Sequence, residues 1–328
     1  MKNNDKRKNA AFKQNKLDEL FSKLKKQLDD LNFFSKYWEK QRLYINHAYS
    51  IESSKKLFNV ENFDSLLTSG SLMNPHLDIV ENGSKMESLY TNSPSPTTDV
   101  LDVLNRYKTG ATIRVPHIEL FMPDLQLYCK SLENYFGIPI RANLYMTPPF
   151  SQGFQPHFDL DDILVFQAHG KKIWSCHTSY SNSQPLPNRD MTFNESLHRS
   201  TGIPDEIELN QGDMLYLPRG FMHEARTEEQ DSIHITFAFI GNYLGELMQQ
   251  MIRAKSIEDV SFRNLIRVPQ KVNDEFILDQ FKLFQSEFKK LNDKKLLINS
   301  LNYVKHSFDK HRNPQLKGGL MAILNNEN

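Results

Sequence analysis

The feature that most constrains the fold is a succession of short extended segments, separated by turn residues, between Ile138 and about Gly241. Many short strands at such spacing are typical of an all-β sandwich or barrel. We predict strands at IRANLYM (140–146), FQPHFD (154–159), ILVFQAH (163–169), KKIWSCH (171–177), EIELN (206–210), DMLYLP (213–218), HEARTE (223–228) and SIHITFAF (232–239).

The last of these segments has the clearest alternation. Side chains on a strand alternate between its two faces, so every second residue shares a face. The apolar face predicted here consists of Ile233, Ile235, Phe237 and Phe239, and the opposite face of Ser232, His234, Thr236 and Ala238. One face therefore suits a core, and the small, polar face suits a strand that lines a cavity.

Helical patterns flank the β-rich region. Pro123 and Gly137 suit the first turn and the position after the end of a helix in MPDLQLYCKSLENYFG. An amphipathic helix near the N-terminus has the stripe Leu17, Leu20, Phe21, Leu24, Leu28 and Leu31. Three more helices follow Asn242, and the middle one has the stripe Phe276, Ile277, Phe281, Phe284, Phe288 and Leu291. That stripe fits a dimer interface or packing within the chain equally well.

Composition excludes several classes of protein. The 328 residues include 40 basic and 40 acidic side chains, so overall charge gives no indication of a nucleic-acid partner. Cys129 and Cys176 are too few for a disulfide framework or a thiolate metal site. No segment reaches the roughly 18 apolar residues that span a bilayer, and the Lys-rich residues 1–16 do not resemble a secretory signal. We expect a cytoplasmic protein with a solvated basic tail and no membrane contact.

Two histidines and an aspartate form a candidate metal site. His157 and Asp159 would point to the same side of an extended segment. His223, in GDMLYLPRGFMH, follows 66 residues later (223 − 157) and would be close in space if two antiparallel strands are neighbours. Two His and one carboxylate are the facial triad of non-haem Fe(II) sites, which leaves coordination positions open. Zinc also accepts this ligand set, so the metal stays open at this point.

A pair of lysines suggests an anionic ligand nearby. Lys171 and Lys172 follow a nearly continuous apolar segment, so alternation directs one of them inward. A buried ammonium group requires an anionic partner, because an unpaired one costs several kcal/mol or loses its proton. A dicarboxylate that chelates the metal would supply that partner. Alternation does not decide which of the two lysines is buried.

Five motifs, in order, resemble the JmjC-type ribosomal oxygenases, a branch of the cupin superfamily. The resemblance extends over roughly Phe33 to Arg267 and includes FFSKYWEKQRLYI near its start. The motifs are NLYMTPP, SQGFQPHFD, FQAHGKKIW, GDMLYLPRGFMHEA and HITFAF. The resemblance implies an α+β chain with a double-stranded β-helix (jelly-roll) core, preceded by N-terminal α/β elements and followed by a helical region.

The resemblance also assigns roles to individual residues. His157, Asp159 and His223 would bind Fe(II), and Lys172 would bind the distal carboxylate of the cosubstrate 2-oxoglutarate. Dioxygen would be the second cosubstrate. The positions that would line the cosubstrate pocket are Asn143, Thr236 and, beside them, His234.

The expected domains are a tail and helix at 1–32, the oxygenase domain at 33–241 with its β-core at about 138–241, and a helical region at 242–328 that would form a homodimer. The family's winged-helix domain is expected to be missing, because few residues follow His311. We predict a 2-oxoglutarate-dependent dioxygenase that hydroxylates a protein or peptide. The alternatives are a tailoring hydroxylase of a natural-product precursor peptide, an N-methyl-lysine demethylase, and a cupin-like binding or scaffold protein without turnover.

Overall fold

The computed structural model describes residues 19–72, 76–81, 83–86, 98–180, 186–191, 203–271 and 273–311. The chain divides into two compact units, Met1–Gly241 and Asn242–Asn328. The predicted basic tail lies outside the described residues. No helix within the described ranges combines the length and the apolar character needed to cross a membrane.

The first unit contains six α-helices and ten strands among its described residues. The helices are α1 (19–30), α2 (Phe33–Lys36), α3 (Ile51–Leu57), α4 (Val60–Thr68), α5 (Val100–Lys108) and α6 (Pro123–Phe136). The strands are β1 (Leu43–Ile45), β2 (Asp78–Glu81), β3 (Ser84–Met86), β4 (Thr112–Pro116), β5 (Ile140–Thr147), β6 (Ile163–Tyr180), β7 (Asp205–Asn210), β8 (Met214–Leu217), β9 (Phe221–Arg226) and β10 (Ser232–Phe239).

The strands form two antiparallel sheets that share one long strand. The major sheet has the order β1-β8-β6-β10-β5-β4-β2-β3, and β7 and β9 pair with the second half of β6 to form the minor sheet. Strand β6 changes partners near Gly170, because residues up to Gly170 pair with β10 and residues from Lys171 onward pair with β7. The predicted double-stranded β-helix with flanking helices is confirmed.

Two strand predictions were wrong. The segment 154–159 is not a strand, and within it only His157 forms a bridge, to His223. Pro156 has no N–H to donate, which removes one hydrogen bond from any ladder that this segment could form. The segments 163–169 and 171–177, predicted as separate strands, are one continuous strand, since Gly170 accommodates a positive φ of 61° within β6.

Hydrophobic burial fixes the orientation of the strands. The apolar face of β10 lies in the larger core, together with leucines of α1 and α6, while Ala238 belongs to a second core that contains Ile163 and Trp174. The predicted two-faced strand is therefore confirmed. Helix α6 begins at Pro123 and ends before Gly137, which has a φ of 68°, as its sequence predicted.

Gly170 is a position where we expect a large loss of stability on substitution. Besides its positive φ, a methyl group there would overlap the backbone carbonyl of Asp231. Gly170→Ala should lower the free energy of unfolding by about 2–4 kcal/mol, from backbone strain and overpacking. Gly153→Ala is the matched control, because its added methyl group would make ordinary contacts with Thr112. Equal thermal stability of the two variants would contradict this prediction.

The second unit consists of α7 (Leu244–Glu258), a 3₁₀ turn at Val260–Arg263, α8 (Asp274–Lys289) and α9 (Lys294–His311). The three predicted helices are thus present. The ammonium group of Lys290, just after α8, forms ion pairs with the carboxylates of Asp259 at 3.2 Å and Glu287 at 2.7 Å. These ion pairs fix the end of α8 to the start of the 3₁₀ turn. The dimerisation role predicted for 242–328 stays a prediction.

Candidate functional site

A cavity of about 310 Å³ lies between the two sheets. It is lined by side chains from β4, β5 and β10 of the major sheet, by both halves of β6, by β9, and by the segment that precedes β6. All seven residues that the sequence singled out line this cavity: His157, Asp159, His223, Lys172, Asn143, Thr236 and His234.

The two histidines of the candidate metal site are held by the backbone. His157 and His223 form an isolated antiparallel bridge, in which each N–H donates to the carbonyl of the other at 3.0 and 2.8 Å. Their rings have centroids 4.5 Å apart. With Asp159, they bring three ligand atoms within 4.8 Å of one another. Among the described residues, this is the group of His, Cys, Asp and Glu side chains with the geometry to hold a metal ion.

The hydrogen bonds of the rings prepare the two histidines for metal binding. Nδ1 of His157 lies 2.8 Å from the Gln155 carbonyl, and Nδ1 of His223 lies 2.9 Å from the Phe221 carbonyl. A carbonyl only accepts, so each Nδ1 carries the proton and each Nε2 presents a lone pair. These Nε2 atoms lie 3.9 and 3.5 Å from the carboxylate oxygens of Asp159.

Burial keeps His223 neutral, as a metal ligand must be. Its side chain is almost fully buried, and burial, together with the neighbouring His157, lowers the pKa of His223 to about 4. Neutral imidazoles and one carboxylate suit a divalent transition metal. The residues therefore fit an Fe(II) ion by their chemistry.

Lys172 is the inward lysine of the pair. It is 3% exposed and donates a hydrogen bond from Nζ to the Thr147 hydroxyl at 2.8 Å. Burial lowers the pKa of Lys172 to about 7. Lys171 instead points outward and lies 3.4 Å from Glu208. A buried amine with a hydroxyl partner, facing the cavity of the histidines, fits an anionic ligand.

Two further polar atoms in this cavity are buried without a hydrogen-bond partner, Nδ1 of His234 and Nε1 of Trp174. The His234 ring stacks on Tyr145, with centroids 4.8 Å apart, and meets Trp174 edge to face at 5.3 Å. Burial and the neighbouring Lys172 lower the pKa of His234 well below its ordinary value. Unpaired buried polar groups are costly, so they indicate a site that a polar ligand completes.

Asn143 and Thr236 lie opposite each other on β5 and β10. The side-chain oxygen of Asn143 accepts a hydrogen bond from the His117 N–H at 3.3 Å, which fixes the amide at the cavity wall. His234 lies two residues from Thr236 on the same face. Alternation along β10 places His234 and Thr236 on one face, and the pairing of β5 with β10 brings Asn143 beside them.

Arg114, Tyr145 and Trp174 are among the further residues of the cavity wall that escaped prediction. Tyr145 lies two residues after Asn143, and Trp174 two residues after Lys172, so the same alternation would have found both. Arg114 is on β4, beside Tyr145 on β5, and donates to the Tyr145 hydroxyl at 3.3 Å. Its position depends on strand pairing, which no local pattern reveals.

Comparison with known proteins identifies relatives of this chain. Residues 117–247 match the JmjC domain family. The chain is 31% identical over 213 residues to the bifunctional lysine-specific demethylase and histidyl-hydroxylase NO66 of Drosophila grimshawi, covering 64% of this chain and 29% of that protein. It is 29% identical over 239 residues to ribosomal oxygenase 1 of Gallus gallus, covering 70% of this chain and 39% of that protein. The chain thus spans less than half the length of these two relatives.

Solved structures share the fold. The crystal structure of the Escherichia coli ribosomal oxygenase YcfD matches 81% of this chain and 67% of its own, with a TM-score of 0.51 and 13% identity. Another structure of YcfD, in complex with cobalt and 2-oxoglutarate, matches with a TM-score of 0.50 and 14% identity over the same shares of the two chains. At this identity the similarity establishes the fold alone.

Proposed function

We propose that this chain, which carries a JmjC domain of the ribosomal-oxygenase type, is an Fe(II)- and 2-oxoglutarate-dependent oxygenase that hydroxylates a residue of a protein or peptide. One observation carries the proposal: a buried lysine and a compact His, Asp, His cluster line the same cavity. The cluster suits a metal and the lysine suits a carboxylate. Together they match a metal ion with a chelating dicarboxylate.

His157, Asp159 and His223 would hold the iron. This assignment is supported by the Nδ1-protonated tautomers of both histidines and by the lowered pKa of His223. They leave two Nε2 lone pairs and the Asp159 carboxylate available to a metal ion. When bound, iron and 2-oxoglutarate supply the oxidation: dioxygen is reduced, the 2-oxo acid becomes succinate and carbon dioxide, and one oxygen atom enters a substrate C–H bond. The protein's part is to orient the reactants and to exclude water.

Lys172 would pair with the carboxylate of 2-oxoglutarate distant from the metal. The pKa of Lys172, about 7 without ligand, would rise when the amine pairs with the carboxylate. At any pH where the free amine is neutral, 2-oxoglutarate binding would therefore add a proton to it. Thr147 already holds the amine in place with a 2.8 Å hydrogen bond. Asn143, Thr236 and His234 would orient the cosubstrate from the facing strands, and its binding would supply partners for polar groups of this wall.

Protein hydroxylation is favoured as the reaction by the relatives' names, which specify a histidyl-hydroxylase and ribosomal oxygenases. The same names also include a lysine-specific demethylase, so demethylation of N-methyl-lysine is the second candidate. Both reactions begin with the hydroxylation of a carbon atom and would use the same iron and cosubstrate residues.

Isotope labelling would separate the two candidates. The protein would be incubated with Fe(II), 2-oxoglutarate and ¹⁸O₂ in the presence of ribosomal proteins and, separately, of peptides that carry N-methyl-lysine. Hydroxylation predicts a product that gains one labelled oxygen atom, whereas demethylation predicts the loss of a methyl group. The Asp159→Ala variant is the control. If labelled product and succinate are both absent from every incubation, the proposal fails.

We also propose that the protein is a cytoplasmic homodimer that associates through its second unit. Support comes from α8, on which Phe281, Phe284 and Phe288 are 47–62% exposed. Exposed aromatic residues at helical spacing form an apolar stripe that another protein surface can cover. Apolar residues of α7 and α9 are exposed as well: Leu244, Met248, Ile252, Ile257, Leu297, Ile298 and Leu301.

Phe284→Glu should convert a dimer into monomers. A charge in an apolar interface leaves an unpaired carboxylate out of water, which costs several kcal/mol. Sedimentation equilibrium would measure the mass of the wild type and of the variant. Lys282→Glu is the matched control, because Lys282 belongs to the same helix and bears an exposed charge beside Asp279. A wild-type protein that sediments as a monomer at every concentration would contradict the dimer.

A further inference from the structure

Asp159 needs support from outside its own segment. Residues 158–162 have no regular secondary structure, and the Asp159 side chain is 37% exposed. A hydrogen bond to the turn before β9 holds the backbone of Asp159: its carbonyl accepts from the Gly220 N–H at 3.0 Å. Gly220 belongs to the turn 218–220, which leads directly into β9 and His223. The segment of one proposed ligand is thus attached to the turn that precedes another.

Arg219 supplies a second attachment between the same two segments. Its guanidinium donates to Asp162 at 2.6 Å and also to Glu39, and its Nε donates to the Pro187 carbonyl at 3.1 Å. The side chain of Arg219 is only 11% exposed. These acceptors belong to three separate parts of the chain, which converge on a single side chain.

Asp162 is itself rigidly held. Its second carboxylate oxygen accepts from the Tyr216 hydroxyl at 2.7 Å, and its carbonyl accepts from the Phe239 N–H at 2.9 Å. The Asp162 side chain is 4% exposed, so the ion pair with Arg219 is shielded from water. A buried charge pair with its hydrogen bonds satisfied loses much when one partner is removed.

We propose that Arg219 is a positioning residue that sets the distance between Asp159 and His223, and so tunes the metal site. The inference rests on the proposed function, since it takes these two residues as ligands. Segment 159–162 and turn 218–220 are joined at both ends, by the Gly220 to Asp159 hydrogen bond and by the Arg219 to Asp162 ion pair. Without the ion pair, Asp162 would still be bonded to Tyr216 and to the Phe239 N–H, but segment 159–162 would lose its side-chain attachment to turn 218–220.

The metal affinity of the apoprotein tests this proposal. Outer-shell partners of metal ligands typically contribute about 10- to 100-fold to affinity. Arg219 and Asp162 act one step further from the ligands, so Arg219→Gln and Asp162→Asn should weaken Co(II) binding by about 10-fold, the lower end of that range, measured by calorimetry, and should alter the visible absorption of bound Co(II). Arg219→Lys should recover part of the affinity, because it keeps the charge and loses the planar fork. Arg226→Gln removes the ion pair between Arg226 on β9 and Glu206 on β7, and it should leave Co(II) affinity unchanged.

Asp159→Ala separates this proposal from the proposed function. If Asp159→Ala retains full Co(II) affinity, the metal site itself is wrong. If Asp159→Ala loses affinity while folded Arg219→Gln and Asp162→Asn bind within about two-fold of the wild type, only the positioning role is overturned. If Arg219→Gln does not fold, Asp162→Asn decides, since it retains an oxygen acceptor for Tyr216. Failure of both variants to fold would assign Arg219 a purely structural role and also overturn the proposal.

Discussion

Asp159→Ala is expected to abolish the conversion of 2-oxoglutarate to succinate. The carboxylate is one of three ligand atoms within 4.8 Å, and its removal leaves two imidazoles to bind the metal. The rate should fall by more than the roughly 100-fold that loss of an outer-shell partner costs. His157→Ala and His223→Ala should have the same effect. Succinate formation with Fe(II) present is the measurement.

A histidine outside the cavity gives the control for these variants. His169 is about 40% exposed, lies 3.9 Å from Asp231, and does not line the cavity. His169→Ala should therefore retain turnover close to that of the wild type. If Asp159→Ala and His169→Ala form succinate at similar rates, another group of residues binds the metal, and the proposed site is wrong.

Lys172→Met should have two opposite effects, a loss of cosubstrate binding and a gain in stability without ligand. The loss follows because truncation of one partner of a buried charge pair costs about 2–5 kcal/mol, or roughly two orders of magnitude in affinity. The gain follows because burial lowers the pKa of Lys172 to about 7, from 10.5. At neutral pH this shift opposes folding by on the order of 4 kcal/mol.

The stability gain should depend on pH. Between about pH 7 and 10.5 the unfolded chain holds a proton on Lys172 that the folded chain has released, so wild-type stability rises with pH in this window. Methionine has no such proton. The advantage of Lys172→Met should therefore be largest near pH 7 and below, and it should shrink as pH rises toward 10. Urea unfolding of the ligand-free proteins at several pH values would measure it.

Lys171→Met is the matched variant, since Lys171 is the adjacent lysine and lies outward, 3.4 Å from Glu208. It should change neither 2-oxoglutarate affinity nor ligand-free stability by more than about 1 kcal/mol, as is usual for exposed ion pairs. If Lys171→Met, rather than Lys172→Met, loses cosubstrate affinity, the assignment of the anion-binding lysine must be reversed.

The sequence predicted the local parts of this site well. Alternation placed His234 and Thr236 on the cavity face of β10, and it required one of two lysines to point inward, although only the family resemblance selected Lys172. Alternation failed at 154–159, since Pro156 and a single bridge at His157 leave this segment outside the sheets. His157 is instead held beside His223 by that bridge to β9, and Asp159 is held by the N–H of Gly220 in the preceding turn.

Contacts between distant segments could not be predicted from local patterns. Arg219 lies 180 residues from Glu39, and the ion pair between them exists only after β8 and the turn at 218–220 are in place. Arg114 likewise reaches the cavity wall only because β4 pairs with β5. In the sequence each is one of 40 basic residues, and no spacing distinguishes them from arginines on the surface.

The binding of 2-oxoglutarate to metal-loaded protein tests the central claim most directly. Calorimetry would compare apoprotein, Co(II)-loaded protein and Co(II)-loaded Lys172→Met. The account predicts tight binding of 2-oxoglutarate to the Co(II)-loaded wild type. Binding to apoprotein should be much weaker, because 2-oxoglutarate has no metal to chelate. Binding to Co(II)-loaded Lys172→Met should also be much weaker, because the distal carboxylate loses its ammonium partner. Failure of the metal-loaded wild-type protein to bind 2-oxoglutarate would contradict the assignment of this cavity to an oxygenase.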